Sequence, residues 1–211
     1  MTDVEPPFET RALVVEARDS RVVIRLNRPA ERNSLSVATL EELERLVSAL
    51  VSRTDISTII FTGTGDSFAS GANIRELGAL TPETAREFAR RGQSLMQKIE
   101  DAPQLTIAAV NCYCMGGGLD LALACRLRCA APSAVFAHPG ARLGIITGWG
   151  GTQRLPRLVG QTRALEIFTT ARRLTAHEAY DIGLVNHIGE PVLECAVSLA
   201  RASGVGAERA G

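Results

Sequence analysis

Three glycine-centred stretches are where this chain could bring its backbone close to a ligand: Ser70-Gly71-Ala72-Asn73, Gly116-Gly117-Gly118 and Gly148-Trp149-Gly150-Gly151. Glycine has no Cβ, so it permits close approach and backbone conformations that other residues avoid. The first two stretches each follow an apolar β-type run and open a helix. Their unpaired N–H groups therefore point outward at the positive end of a helix dipole. Two such amides brought together form an oxyanion hole, which holds a carbonyl oxygen as it gains negative charge. For any single glycine run the plain alternative is a tight turn. Among the histidines, His138 stands out because Pro139-Gly140 follows it in an irregular segment, where proton transfer could use it. His177 reads as a solvated residue at a helix start, and His187 as a structural residue ending an apolar strand.

Other chemistries fit poorly. Gly63-Thr64-Gly65-Asp66-Ser67-Phe68 lacks the last glycine of the dinucleotide fingerprint, and no G-x-x-x-x-G-K-[ST] occurs. There is no G-x-S-x-G nucleophile elbow. Cys112-x-Cys114 and Cys125-x-x-x-Cys129 lack zinc-site spacing, so no metal is expected and the cysteines read as small buried side chains. Lysine chemistry would rest on Lys98 alone, since the other basic residues are all arginine. With 211 residues, 45% hydrophobic, and 23 basic against 23 acidic side chains, the chain is long enough for one well-filled domain. Zero net charge argues against a nucleic-acid partner. No apolar run reaches transmembrane length, and the acidic, Pro-rich MTDVEPPFET does not resemble a signal peptide. An odd cysteine count without an export signal points to reduced thiols and a cytoplasmic location.

The elements that must position these loops follow from periodicity. Short strands are expected at 12–16 and 22–26, joined as a hairpin through Arg18-Asp19-Ser20. Ser36 can cap a helix to about 51, with Leu40, Leu43, Leu46, Val47 and Leu50 on one face. A strand at 58–62 precedes a long helix from Pro82 to about 100. A strand at 105–110 leads to the Gly116 stretch and an apolar helix at 119–125. Strands near 127–130 and 135–137 come next, then helices near 152–159, 162–170, 174–180 and 192–201. Residues 1–10 read as a loose lead-in and 204–211 as a fraying tail. Strands alternating with helices indicate an α/β class.

With these blocks in order, the chain resembles the crotonase superfamily, specifically the enoyl-CoA hydratase/isomerase family. The resemblance rests on Leu26-Asn27-Arg28-Pro29, Arg32-Asn33-Ser34-Leu35, Phe68-Ala69-Ser70-Gly71-Ala72-Asn73-Ile74 and Ala108-Ala109-Val110-Asn111 with Gly116-Gly117-Gly118. It continues through the long run from Gly148 to Gly160 and Gly183-Leu184-Val185-Asn186. It implies a spiral of repeated ββα units as one domain over 1–211, with a core at about 12–190. It also implies an acyl-CoA thioester ligand and a homo-trimer or hexamer. Coenzyme A would arrive as part of the substrate, so no separate cofactor is expected. The family's oxyanion hole would fall on the amides of Ala72 and Gly117, the loops already selected. Arg28, Ala30, Ala69, Gly71, Asn73, Ile74, Gly116, His138 and Gly140 would line the substrate site, with Arg28 or Arg32 near the phosphates. Asn73 also reads as a helix cap.

The departures bear on the reaction. Two glutamates activate water in the hydratases of this family; the first aligns with Asp120 and the second with Gly140. Gly140 cannot act as acid or base, so two-carboxylate hydration is not expected. Asp120, which could also be a carboxylate favoured simply by the helix dipole, is the expected acid/base, helped by His138 if the fold brings it near. The expected function is an acyl-CoA-processing enzyme that stabilises a thioester enolate. The alternatives are a single-carboxylate isomerase or decarboxylase, or a catalytically impaired acyl-CoA-binding protein. Residues 191–211 read as the start of a shortened C-terminal helical region.

Overall fold

The computed structural model describes residues 10–204. The lead-in expected at 1–10 and the tail expected at 204–211 thus lie, except for Thr10 and Gly204, outside the described residues. The chain opens with an antiparallel hairpin of β1 (Leu13–Arg18) and β2 (Arg21–Leu26). Asp19, at φ 57°, makes the turn. Ser36 caps α1 (Val37–Val51) by accepting from the Thr39 amide, and the expected leucine face is buried.

The strands then alternate between two sheets. β3 (Thr58–Gly63), β5 (Leu105–Val110) and β7 (Leu127–Ala130) extend β2 as parallel neighbours, and β10 (His187–Ile188) adds to β7. β4 (Ser67–Ala69), β6 (Tyr113–Met115) and β8 (Val135–Ala137) form a second parallel sheet, closed by antiparallel β9 (Leu174–Thr175). Each turn of the chain therefore gives one strand to each sheet before a helical segment. Those segments are α2 (Ile74–Gly78) with α3 (Pro82–Glu100), then α4 (Gly117–Ala124), then α5 (Gly151–Val159) with α6 (Gln161–Thr170). This is the spiral of ββα units that the family resemblance implies. β3 and β5 are buried along their whole length, which explains their unbroken apolar runs.

Several details differ from expectation. The helix expected at 174–180 is a two-residue strand followed by α7 (Ala176–Asp181). Thr175 and Glu178 form a capping box that fixes the helix start, while Leu174 is held in register with Phe136 of β8. His187 begins a short strand rather than ending one, and its side chain is exposed. The short strands β4 and β6 were not legible from periodicity, whereas the helix expected to open after Asn73 is the short α2. Helix α8 (Val192–Ala202) packs Val192, Ala196 and Ala200 against Ile60, Ile107 and Cys129 of the large sheet. All five cysteines are free thiols; Cys114, Cys125 and Cys129 are buried as expected, whereas Cys112, on the loop before β6, is only partly buried. Among the described residues no helix is long and apolar enough to cross a membrane.

One packing arrangement ties the middle of the chain together. The Trp149 indole is buried between Gly92 of α3 and Gly117 of α4, at places where a Cβ on either glycine would fall on the ring. Phe88 stacks against it at a centroid distance of 5.4 Å. Arg154 fixes the backbone beside it, donating to the Trp149 carbonyl at 3.2 Å while its Nε bonds Glu100 at 2.8 Å. A methyl group at position 92 has no space. Gly92→Ala should lower stability by about 1–3 kcal/mol through overpacking. Urea unfolding followed by the fluorescence of Trp149, the sole tryptophan, measures this; an unchanged midpoint would show that the notch is not tight.

Candidate active site

A cavity of about 560 Å³ opens where the three loops converge. Leu77, Leu80, Phe88, Ile145 and Ile146 give it largely apolar walls, and Ser70 to Ala72, Gly116, Gly117, Asp120 and His138 also line it. The two helix-opening loops meet because Gly71, at φ 98°, carries no side chain. A Cβ there would lie 2.9 Å from the Met115 carbonyl and 3.0 Å from the Gly117 nitrogen. The Gly71 carbonyl is taken by the Leu35 amide at 2.8 Å, which leaves the neighbouring Ala72 amide free to turn away. Gly117 is the first residue of α4 and so has no intrahelical acceptor for its N–H. Among the described residues no loop or capping hydrogen bond uses either the Ala72 or the Gly117 amide.

Asp120 sits one turn into α4 and is 1% exposed. Thr147 donates a short hydrogen bond to its Oδ2. Burial pushes the carboxyl up to about 7, against the opposing pull of the Thr147 hydroxyl, the Arg154 charge and the Trp149 backbone. His138 Nε2 lies 3.4 Å from Asp120 Oδ1, and among the described residues neither atom has a hydrogen-bond partner. Burial pushes the imidazole down to about 4, so it is neutral near pH 7. Phe168 packs against its ring at 5.1 Å. The contact depends on Gly151, where a Cβ would collide with Asp120 Oδ1 and come within 3.2 Å of His138 Nε2.

Other expected site residues fall elsewhere. Arg28 bonds Glu31 through both Nε and Nη2, and Ala30 is exposed on the adjoining single-turn segment. Ala69 is buried beneath α4, so close to Gly118 that a Cβ there would meet the Ala69 carbonyl. Asn73 caps α2 by accepting from the Arg75 amide at 3.0 Å. None of these four is on the cavity wall, because each is already committed to local structure or turned to the surface. Ile74, Gly71, Gly116, His138 and Gly140 are on it. Thr147 and Phe168 were missed. A lone threonine and a phenylalanine carry no spacing signal, whereas a single Trp among glycines at 148–151 was a usable hint. Lys98 is away from the site and bonds Ser48 Oγ at 2.6 Å.

The sequence profile described as Enoyl-CoA hydratase/isomerase matches residues 16–202. The chain belongs to the enoyl-CoA hydratase/isomerase family. Among its relatives, crotonyl-CoA hydratase of Syntrophomonas wolfei is 42% identical over 85% of this chain and 69% of its own length. Short-chain-enoyl-CoA hydratase of Clostridium acetobutylicum is 36% identical over 87% and 71%. The chain thus spans about two thirds of the length of these curated relatives. A crystal structure of enoyl-CoA hydratase from Bacillus anthracis superposes with a TM-score of 0.87 at 38% identity, covering 91% of this chain and 76% of the other.

In this member of the enoyl-CoA hydratase/isomerase family, position 140 is closed as well as uncharged. A Cβ there would stand 2.6 Å from the Ile145 carbonyl, whose residue donates its own amide to the Gly140 carbonyl at 3.0 Å. Gly140→Glu must displace the 141–146 segment, so it should cost about 1–3 kcal/mol of stability and add no hydration of crotonyl-CoA. A gain in hydration rate would show that the segment moves freely. The buried carboxyl makes a second prediction. Folded Asp120 keeps its proton between its ordinary 3.8 and about 7, while the unfolded chain releases it. Stability therefore falls as pH rises through that window. Asp120→Asn should gain about 2–4 kcal/mol over wild type at pH 8 and almost nothing at pH 4, read by denaturant melts.

Proposed function

We propose that this chain processes acyl-CoA thioesters by moving a proton next to the thioester carbonyl, and that its reaction is a double-bond shift. The observation that carries the reading is the carboxylate count: among the described residues lining the cavity, Asp120 is the single carboxylate. One carboxylate can remove and return a proton, whereas water addition of the two-glutamate kind needs a second at position 140. The thioester oxygen would rest against the Ala72 and Gly117 amides, which stabilise the enolate as charge develops there. Each such donor contributes about 3 kcal/mol to the transition state, and the apolar walls keep that interaction strong.

Proton removal needs the ionised form of Asp120. With the carboxyl raised to about 7, kcat/KM should fall tenfold per pH unit below neutrality and level off above it. Wild-type protein should exchange the α-hydrogens of a saturated acyl-CoA with D2O and convert 3-enoyl- to 2-enoyl-CoA faster than it hydrates crotonyl-CoA. Asp120→Asn should slow both proton-transfer rates by about a hundred- to ten-thousand-fold. Hydration outpacing isomerisation, or an Asn variant with unchanged exchange, would overturn the reading. Calorimetric binding of acyl-CoA with no turnover on any of these substrates would favour a binding protein instead.

A further inference from the structure

We propose that Asp120 and His138 work as one acid/base unit, in which the carboxylate takes the proton and the imidazole delivers it to the remote carbon. This rests on the isomerase reading and extends it to a second catalytic residue. Both groups line the cavity, and their facing atoms, Oδ1 and Nε2, are 3.4 Å apart. Each is buried and has no hydrogen-bond partner among the described residues, so both atoms are left open to a proton shared between them or to a bound substrate. The surroundings hold the pair without occupying those atoms. Thr147 bonds the other carboxylate oxygen, Phe168 packs against the imidazole, and Gly151 contributes no side chain at the contact.

The step balances as follows. Asp120 carboxylate takes the α-proton, and the electron pair of the broken C–H bond enters an enolate whose oxygen faces the two amides. The new Oδ1–H proton passes to Nε2, giving a transient imidazolium beside a restored carboxylate. The γ-carbon then takes that proton from Nε2, and the enolate electrons settle as the α,β-double bond. Asp120 ends ionised and His138 neutral, as they began. With Oδ2 held by Thr147, Asp120 alone would have to reach both carbons through Oδ1; the pair presents Oδ1 and Nε2.

His138→Gln tests this, because exchange and isomerisation use different halves of the unit. Isomerisation should fall about a hundredfold while α-hydrogen exchange in D2O falls only several-fold. Imidazole added to His138→Ala should restore part of the isomerisation rate. Unchanged isomerisation in His138→Gln overturns the proposal, and so does equal loss of both rates in a variant that keeps its Trp149 fluorescence. Wild-type enzyme gives a check that needs no substitution. Isomerisation in D2O should leave some of the original protium at the γ-carbon, and full deuteration there overturns the shared-proton unit. Absence of any α-exchange in wild type would instead sink the isomerase reading beneath it.

Discussion

The seat of the Trp149 indole between Gly92 and Gly117 is the constraint on which the site depends. The ring fills space that any other residue at those two positions would deny it, so α3, α4 and the 147–151 loop cannot shift separately. Gly117 carries one of the two open amides, and the loop that holds Trp149 begins with Thr147, which bonds Asp120. A packing contact therefore sets the distance between the Gly117 amide and the Asp120 carboxyl. Arg154 completes the arrangement from behind, tying the Trp149 carbonyl to Glu100 on α3. Side chains in a close-packed interior transmit such placement with little slack.

The electrostatics of the cavity follow from the same closure. A carboxyl 1% exposed loses most of its hydration, and only Thr147, the nearby backbone and the Arg154 charge offset that loss. The result is a carboxyl that ionises near neutrality instead of in the usual carboxylate range. The imidazole beside it is held neutral by burial as well. Enclosure thus moves both groups away from the ionisation each would show at a surface.

Much of this was legible in the residues. Ser36 with its leucine face, Pro82 at a helix start and the buried runs of β3 and β5 carry strong local signals, and each element formed where expected. The Ala72 and Gly117 loops were legible too, because an apolar strand followed by glycine and a helix has a physical meaning. What escaped were features whose cause is distant in the chain. β4 and β6 are three-residue strands defined by their pairing, not by any pattern of their own. Thr147 matters only because Asp120, far earlier in sequence, is folded against it. Arg28 and Ala30 illustrate the reverse case, since a matching motif did not bring them to the cavity wall; Arg28 bonds Glu31 nearby.

The closed backbone at Gly140 also limits what substitution at this position can achieve. The Ile145 carbonyl occupies the space that the first carbon of a side chain would need, so any residue larger than glycine requires the neighbouring loop to change with it. Position 140 and the 141–146 segment therefore behave as one unit for engineering. A side chain can be introduced there only by redesigning both together.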